Sequence, residues 1–440
     1  MTATNLAAHW MPFTANKGFK EKPRMLSAAK GMYWTTDDQR QVLDMTAGLW
    51  CCNVGHAHPH IAEAIAKQAK TLDYAPSFGF GHELSFELSE RLAQLAPGNL
   101  NKVFYTNSGS ESVDTALKMA MAYHYAKGNT DKQMFISREK AYHGVNFGGV
   151  SVAGLPNNYK AFGQWLPNDR LSHTQDLTLN AFSRGLPLHG GVEKANELEK
   201  LIQRHGAGRI AAVIIEPITG AGGVLPPPVG YLKRVREICD QHDILLIFDE
   251  VITGFGRTGD VFASQTFDVT PDIMTTAKGL TNGAAPMGAV LAGDHIYEAI
   301  VEQGGPGVEF FHGYTYSAHP LACAAAMATL DVYEQEGLYQ RAAADGEISQ
   351  YFEQGLHSLK GLPGVIDIRN YSFIAAVEFE PLAGQPGATG SLVQTSAWEQ
   401  GMMLRSLGEA IAMSPPLIME KEHVDQTIAI LERSIKQHFA

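Results

Sequence analysis

The sequence predicts an α/β fold: a large domain with a mostly parallel central sheet, followed by a smaller α+β domain. Three observations predict it. Short β-branched or aromatic runs alternate with longer helical patterns through the middle of the chain, the alternation stops near residue 318, and helices and short strands in a different order follow. Short apolar strands separated by helices imply a parallel sheet covered on both faces. With 440 residues, and roughly 100–200 residues per domain, two or three domains fit. The pattern places an N-terminal segment at 1–55, packing with the small domain, a large domain at 56–317 and the small domain at 318–440.

The series opens with Lys102–Thr106 (KVFYT) as a strand and helical spacing over Gly109–Lys127. Gln133–Ser137 reads as a strand, the stretch near 193–205 as a helix, and Ile210–Glu216 (IAAVIIE) as a fully buried strand. A helix over about Val229–His242 precedes the strand Ile244–Asp249 (ILLIFD), and Asp272–Ala277 and Met287–Ala292 continue the alternation. Beyond 318, two long helices are expected over roughly 318–336 and 338–360, with strands near 364–370, 373–380, 402–405 and 410–413 and a closing helix at 423–438. The first 55 residues read as rich in turns. Gly/Pro-rich patches at 185–191, 220–230, 304–307 and 381–390 read as loops.

Charge and cysteine content narrow the function. There are 34 Lys plus Arg against 46 Asp plus Glu, a net charge of −12, whereas a nucleic-acid binder would carry a basic excess or stripe. No run of 18 apolar residues suggests a membrane span. The first residues lack the basic start and apolar core of a signal peptide. Four cysteines, Cys51 and Cys52 adjacent and Cys239 and Cys323 apart, cannot build a disulfide framework and suit a reducing compartment. A cytoplasmic protein with no nucleic-acid or membrane partner is the expectation.

In parallel-sheet proteins, ligands bind where strands end and helices begin. Asn107–Glu111 stands between a strand and a long helix. Its small residues expose backbone N–H groups at a helix N-terminus, which suits an anion such as phosphate, and equally an ordinary cap by Ser108 or Ser110. Asp249, with Glu250 after it, ends ILLIFD. A carboxylate buried there needs a cationic or hydrogen-bonding partner, such as a protonated heterocyclic nitrogen, or it anchors a loop. Lys278 follows DIMTTA at the ligand edge, where a partly desolvated amine can lose its proton and form a Schiff base; most lysines are instead solvated surface charges. Arg405, in the C-terminal domain, offers a planar fork for a carboxylate, or a surface ion pair.

Two patterns point elsewhere. Gly254–Gly259 (GFGRTG) matches G-x-G-x-x-G, which suggests a dinucleotide site and a dehydrogenase, but the broken DVFASQTF that follows does not open an amphipathic helix. His56, His58 and His60 stand at alternate positions, as zinc ligands on a strand would, yet Pro59 and the helical pattern after it oppose a strand. No metal site is expected.

Taken together, the segments HWMPFT, GLWCCNVGHAHP, SGSES, IFDEVITGFGRTG, TPDIMTTAKGLTNGAAPMGAV and HGYTYSAHP, in that order, resemble the class III aminotransferases, pyridoxal-phosphate enzymes of fold type I. The two segments nearest the N-terminus most resemble the branch acting on ω-amino acids such as β-alanine and on pyruvate. The resemblance implies pyridoxal 5′-phosphate as cofactor, linked to Lys278, with Asp249 at its ring nitrogen. Gly109 and Ser110 would hold its phosphate, with Thr315 completing that site from a neighbouring subunit. Tyr142 would stack on the ring, with His143 beside it and Val251 on the other face, and Glu216 would support the site. Phe13, Trp50, Phe78 and Ala221 would line the substrate pocket, and Arg405 would bind a substrate carboxylate. The implied assembly is a homodimer with shared active sites, with a tetramer as the further step. Two features set this chain apart within the class. Ala221 stands where some members hold a glutamate to pair with the arginine, and LRSLGEAIAMSPPLI looks closer to amine–pyruvate enzymes. Amine– or taurine–pyruvate transfer is therefore the alternative donor reading, and fold alone does not separate transamination from racemisation or decarboxylation.

Overall fold

The structure, a computed structural model, describes residues 5–382 and 384–439. Near the N-terminus, β1 (Leu26–Lys30), β2 (Tyr33–Thr36) and β3 (Gln41–Asp44) form an antiparallel meander. These strands correct the expectation of a merely turn-rich segment. Val42 and Leu43 are buried, so the third strand carries the apolar anchor that a chain of turns would lack.

The central sheet takes β4 (Lys102–Thr106), β5 (Met134–Arg138), β6 (Asn168–Leu171), β7 (Ile210–Ile215), β8 (Leu245–Asp249), β9 (Ile273–Thr276) and β10 (Gly288–Ala292), in the order β4-β10-β9-β8-β7-β5-β6. Only β10 runs against its neighbours, β4 and β9; the pairs from β9 to β6 are all parallel. The expected α/β, mostly parallel sheet is therefore present. Central strands β7 and β8 are buried along their length, because helix Gly109–Ala126 packs in the core on one face and helix Tyr231–Gln241 in the core on the other. Strand β6 was not expected: its polar sequence, NDRL, carries no apolar signal at the sheet edge.

The last sheet holds β11 (Val365–Tyr371), β12 (Ile374–Phe379), β14 (Arg405–Leu407) and β15 (Ala410–Met413), ordered β11-β12-β15-β14 and antiparallel throughout. Between β12 and β14 in sequence, β13 (Met402–Met403) leaves this sheet and pairs in parallel with β3. The run expected as one strand at 402–405 is thus two strands in two sheets, with Leu404 between them. The expected helix at 338–360 is also divided. A short 3-10 turn, Gln340–Ala342, is followed by a turn closed by Gly346 N–H donating to Ala343 O at 2.9 Å, and the helix proper is Glu347–Ser358. The helix near 193–205 is likewise two, Gly191–Ala195 and Glu197–His205, meeting at Asn196.

Helix Pro320–Gln335 is rich in alanine and buried around most of its circumference. It packs on helices Pro59–Thr71 and Glu83–Leu95 and shares one apolar core with the C-terminal elements. Among the described residues, no helix is long and apolar enough to cross a membrane.

Candidate active site

Asp249, Lys278, Glu216 and the Gly109–Ser110 pair leave their strands at the same edge of the central sheet, and all line one cavity of about 780 Å³. Neighbouring parallel strands end in register, so residues far apart in sequence share a floor. Tyr142, His143, Val251, Trp50, Phe13, Ala221 and Arg405 line the same cavity. Phe78 and Thr315 do not; both are exposed, and the Phe78 ring lies beside Gly313, two residues before Thr315.

The carboxylate of Asp249 is 5% exposed and is fixed from one side. One oxygen accepts from His143 Nδ1 at 2.8 Å; the other accepts from the Val251 N–H at 3.1 Å and the Thr275 hydroxyl at 3.2 Å. The second ring nitrogen of His143, Nε2, is buried without a partner. Glu216 accepts the Tyr142 N–H at 3.0 Å and the Gly220 N–H at 2.8 Å, and burial pushes its pKa up. It thus ties the loop carrying Tyr142 to the loop carrying Ala221.

Lys278 follows β9 in the left-handed region, at φ +44°, a conformation that costs a residue with a side chain about 1–3 kcal/mol. The turn is held by Tyr333 O–H donating to Gly279 O at 2.9 Å and by Gly283 N–H donating to Lys278 O at 3.3 Å. Desolvation lowers the Lys278 pKa, and the nearby Arg405 charge lowers it further, against the opposing pull of Asp249, Cys51 and Glu216. The amine is therefore easier to deprotonate than an ordinary lysine, the property a nucleophilic or proton-carrying lysine needs.

The expected phosphate position is the start of helix Gly109–Ala126. Ser108 caps it, its hydroxyl accepting the Glu111 N–H at 3.2 Å. Gly109 and Ser110 then occupy the first two helical positions, whose N–H groups have no acceptor within the helix. Ser108 does the capping, and the next two amides remain without an intrahelical acceptor. Glycine is required at 109, since a Cβ there would fall 2.7 Å from Val251 Cγ1, and at 144, where φ is +92° and a Cβ would fall 2.6 Å from the Ser110 hydroxyl.

Arg405 opens β14, so the C-terminal sheet delivers it to the cavity, with Ser406 and Leu407 beside it. Trp50 is nearly buried, whereas Phe13 is 70% exposed. Sequence reasoning missed the wall formed by Leu155, Pro156, Asn157 and Asn158, as well as Leu49 and Ile252; nothing in LPNN distinguishes it from any loop.

The two competing patterns are structural. In GFGRTG the chain turns instead of opening a helix, and buried Arg257 donates to Pro415 O and Asn53 Oδ1. His56, His58 and His60 pair separately with Asp44, Glu336 and Asp331.

The chain is similar to known proteins along nearly its whole length. The family model described as Aminotransferase class-III matches residues 14–435. The omega-aminotransferase of Caulobacter vibrioides is 51% identical over 436 residues, 99% of this chain and 98% of the relative. The beta-alanine–pyruvate aminotransferase of Pseudomonas aeruginosa is 50% identical over 424 residues, 96% of this chain and 94% of the relative. Among solved structures, the omega transaminase from Pseudomonas jessenii in complex with PMP superposes with a TM-score of 0.92 at 35% identity, covering 98% of this chain and 96% of that one. The strand-end cavity, the match along nearly the full length and the shared fold make this chain a member of the class III aminotransferases, with the fold type I architecture of pyridoxal-phosphate transferases.

Proposed function

We propose that the protein transfers an amino group from an ω-amino acid resembling β-alanine, or from an amine, to pyruvate, giving alanine and an oxo acid or aldehyde in a ping-pong cycle. The observation that carries this reading is that a desolvated lysine, a fixed carboxylate and a guanidinium line one cavity. The relatives named for β-alanine and pyruvate support the choice of substrates.

The cavity fits pyridoxal 5′-phosphate. Its volume, about 780 Å³, lies within the 300–1,000 Å³ range common for small-molecule sites; Asp249 presents a buried negative charge to it, and two free amides begin the helix beside it. Bound there, the cofactor supplies the electron sink for breaking the substrate C–H bond. The protein's residues supply the rest. Gly109 and Ser110 hold the phosphate with backbone N–H groups and a hydroxyl. Asp249, oriented by His143, Thr275 and the Val251 amide, keeps the ring nitrogen protonated by placing a negative charge beside it. Tyr142 and Val251, both lining the cavity, would confine the ring. Lys278 would anchor the cofactor and carry the proton at its Nζ. Arg405 takes the carboxylate next to the reacting carbon and moves aside for donors whose carboxylate lies further out. Phe13, Trp50 and Ala221 shape the space around the donor.

Phe78 and Thr315 support a homodimer with shared sites. Tyr74, Phe78, Phe80, Phe86, Phe311 and Tyr316 are exposed aromatics. Tyr74 O–H donates to Thr315 O at 3.0 Å, and the Phe78 ring lies against Gly313. An exposed aromatic face of this kind marks an interaction surface, and a two-fold dimer through it brings Phe78 and Thr315 of each chain to the other's cavity. Segment 1–55 packs with the small domain, 318–440, around the large cofactor-binding domain, 56–317.

The test is an absorption spectrum of the purified protein with pyridoxal phosphate, before and after β-alanine and then pyruvate. A visible band lost with β-alanine and regained with pyruvate is expected. A band lost only with an amine moves the donor to the amine–pyruvate reading; no band at all overturns the proposal.

A further inference from the structure

Beside this machinery, two thiols stand together with no assigned use. Cys51 and Cys52 are half-buried, while Cys239 and Cys323 are buried. The two Sγ atoms of the first pair lie 3.9 Å apart, far beyond the ~2.05 Å of a disulfide, so they are free thiols facing one another.

The turn that presents them is built to hold one shape. Ala47, Gly48 and Trp50 all have positive φ, at +44°, +69° and +66°. The N–H groups of Cys51 and Cys52 both donate to Ala47 O at 2.9 Å. Buried Asp44 accepts from the Thr46 and Gly48 N–H groups and from His56 Nε2. The sulfurs lie against residues without side chains: a Cβ on Gly48 would come within 3.2 Å of Cys52 Sγ, and one on Gly283 within 3.0 Å of Cys51 Sγ. The bond from Cys52, a backbone bond at Leu49 and the Lys278 charge outweigh burial and lower the Cys51 pKa, which favours its thiolate. A pair fixed in this way loses little freedom on closing around a bidentate ligand.

The ligand must be satisfied by two sulfurs. Zinc takes four protein ligands in a structural site, and among the described residues no group of three or more His, Cys, Asp or Glu is placed to hold a metal ion. Trivalent arsenic that already carries one organic group needs two. We propose that Cys51 and Cys52 form a chelating site for monosubstituted trivalent arsenicals, R–As=O. Two As–S bonds form and the As=O bond breaks; the oxygen leaves as water with both thiol protons, and arsenic remains trivalent. The substituent then stands beside Gly283, at the end of the turn that begins at Lys278, so occupancy slows turnover.

The probe is phenylarsine oxide added to the pyridoxal-phosphate-loaded protein. The expected result is one phenylarsenic group, less two hydrogens, added to the mass of each chain. A dithiol removes it and a monothiol at equal thiol concentration does not, turnover falls in step with occupancy, and Cys51→Ser and Cys52→Ser each abolish the adduct. An adduct that survives in either variant overturns the proposal, as does a native protein that stays unmodified while the unfolded chain reacts. Full occupancy with unchanged turnover overturns the link to the cavity. The turnover arm rests on the transaminase reading and the mass arm does not, so the two fail separately.

Discussion

Asp249, Glu216 and Lys278 reach the cavity from the central sheet, where two of the three are almost fully enclosed, whereas Phe13, Trp50 and Arg405 reach it from the N-terminal segment and the C-terminal sheet. The floor places charge where water is excluded, held by hydrogen bonds from strand β9 and from the loops that follow the strands. The rim places shape and one cation on elements far apart from one another in sequence. Electrostatic work needs a low dielectric and a rigid mount; choosing between two substrates in one site needs parts that can differ between relatives without disturbing that work.

The sharpest way to break this comparison is at the floor. Lys278→Ala should cost at least about 10³-fold in turnover, since it removes both the anchor and the proton carrier; a single-turnover absorbance trace with β-alanine measures it. Asp249→Asn should cost on the order of 10²–10³-fold, as loss of one preorganised electrostatic group does, while leaving the KM for pyruvate nearly unchanged. A large change in KM there would mean that floor and rim do not divide the labour. Arg405→Ala should show the opposite pattern. A charge-assisted hydrogen bond is worth about 1.5–3 kcal/mol, so the KM for pyruvate should rise about 10–100-fold, with that for an uncharged amine little moved. Equal rises for both would make Arg405 structural.

Thr315→Ala tests the face outside the cavity. Loss of one hydrogen bond to the charged phosphate, about 1.5–3 kcal/mol, should weaken cofactor retention about 10–100-fold in a protein that sedimentation shows is still dimeric; a fully active monomer would overturn the shared site. The smallest effect is one of stability. Lys278 titrates below its ordinary 10.5, so at neutral pH its charge opposes folding of the cofactor-free chain. As pH rises through the lowered value toward about 10.5, the folded amine loses its proton first and that penalty disappears. Lys278→Met should therefore raise the Tm of the cofactor-free protein at neutral pH, and the gain should fade in that alkaline window.

The floor was legible because strand-end chemistry is local: a buried run such as ILLIFD announces both the strand and the carboxylate at its tip. Contacts that exist only after folding were not. Nothing in the sequence joins His143 to Asp249 or draws Leu155–Asn158 to Arg405, and the split of Met402–Leu407 between two sheets depends on β3, near the other end of the chain. GFGRTG misleads without its structure for the same reason: its arginine is a buried tie to Asn53 and Pro415, two points remote in sequence.

That split has a consequence for biosynthesis. Leu43 and Asp44, which begin the turn leading to Trp50, complete their sheet by pairing with Met402 and Met403, and Arg405 follows after a single residue. A ribosome releases those partners long after Leu43 and Asp44 themselves, and long-range pairings of this kind form slowly. The central sheet can assemble on the nascent chain while the rim cannot, so the floor of the cavity is in place before the elements that narrow it.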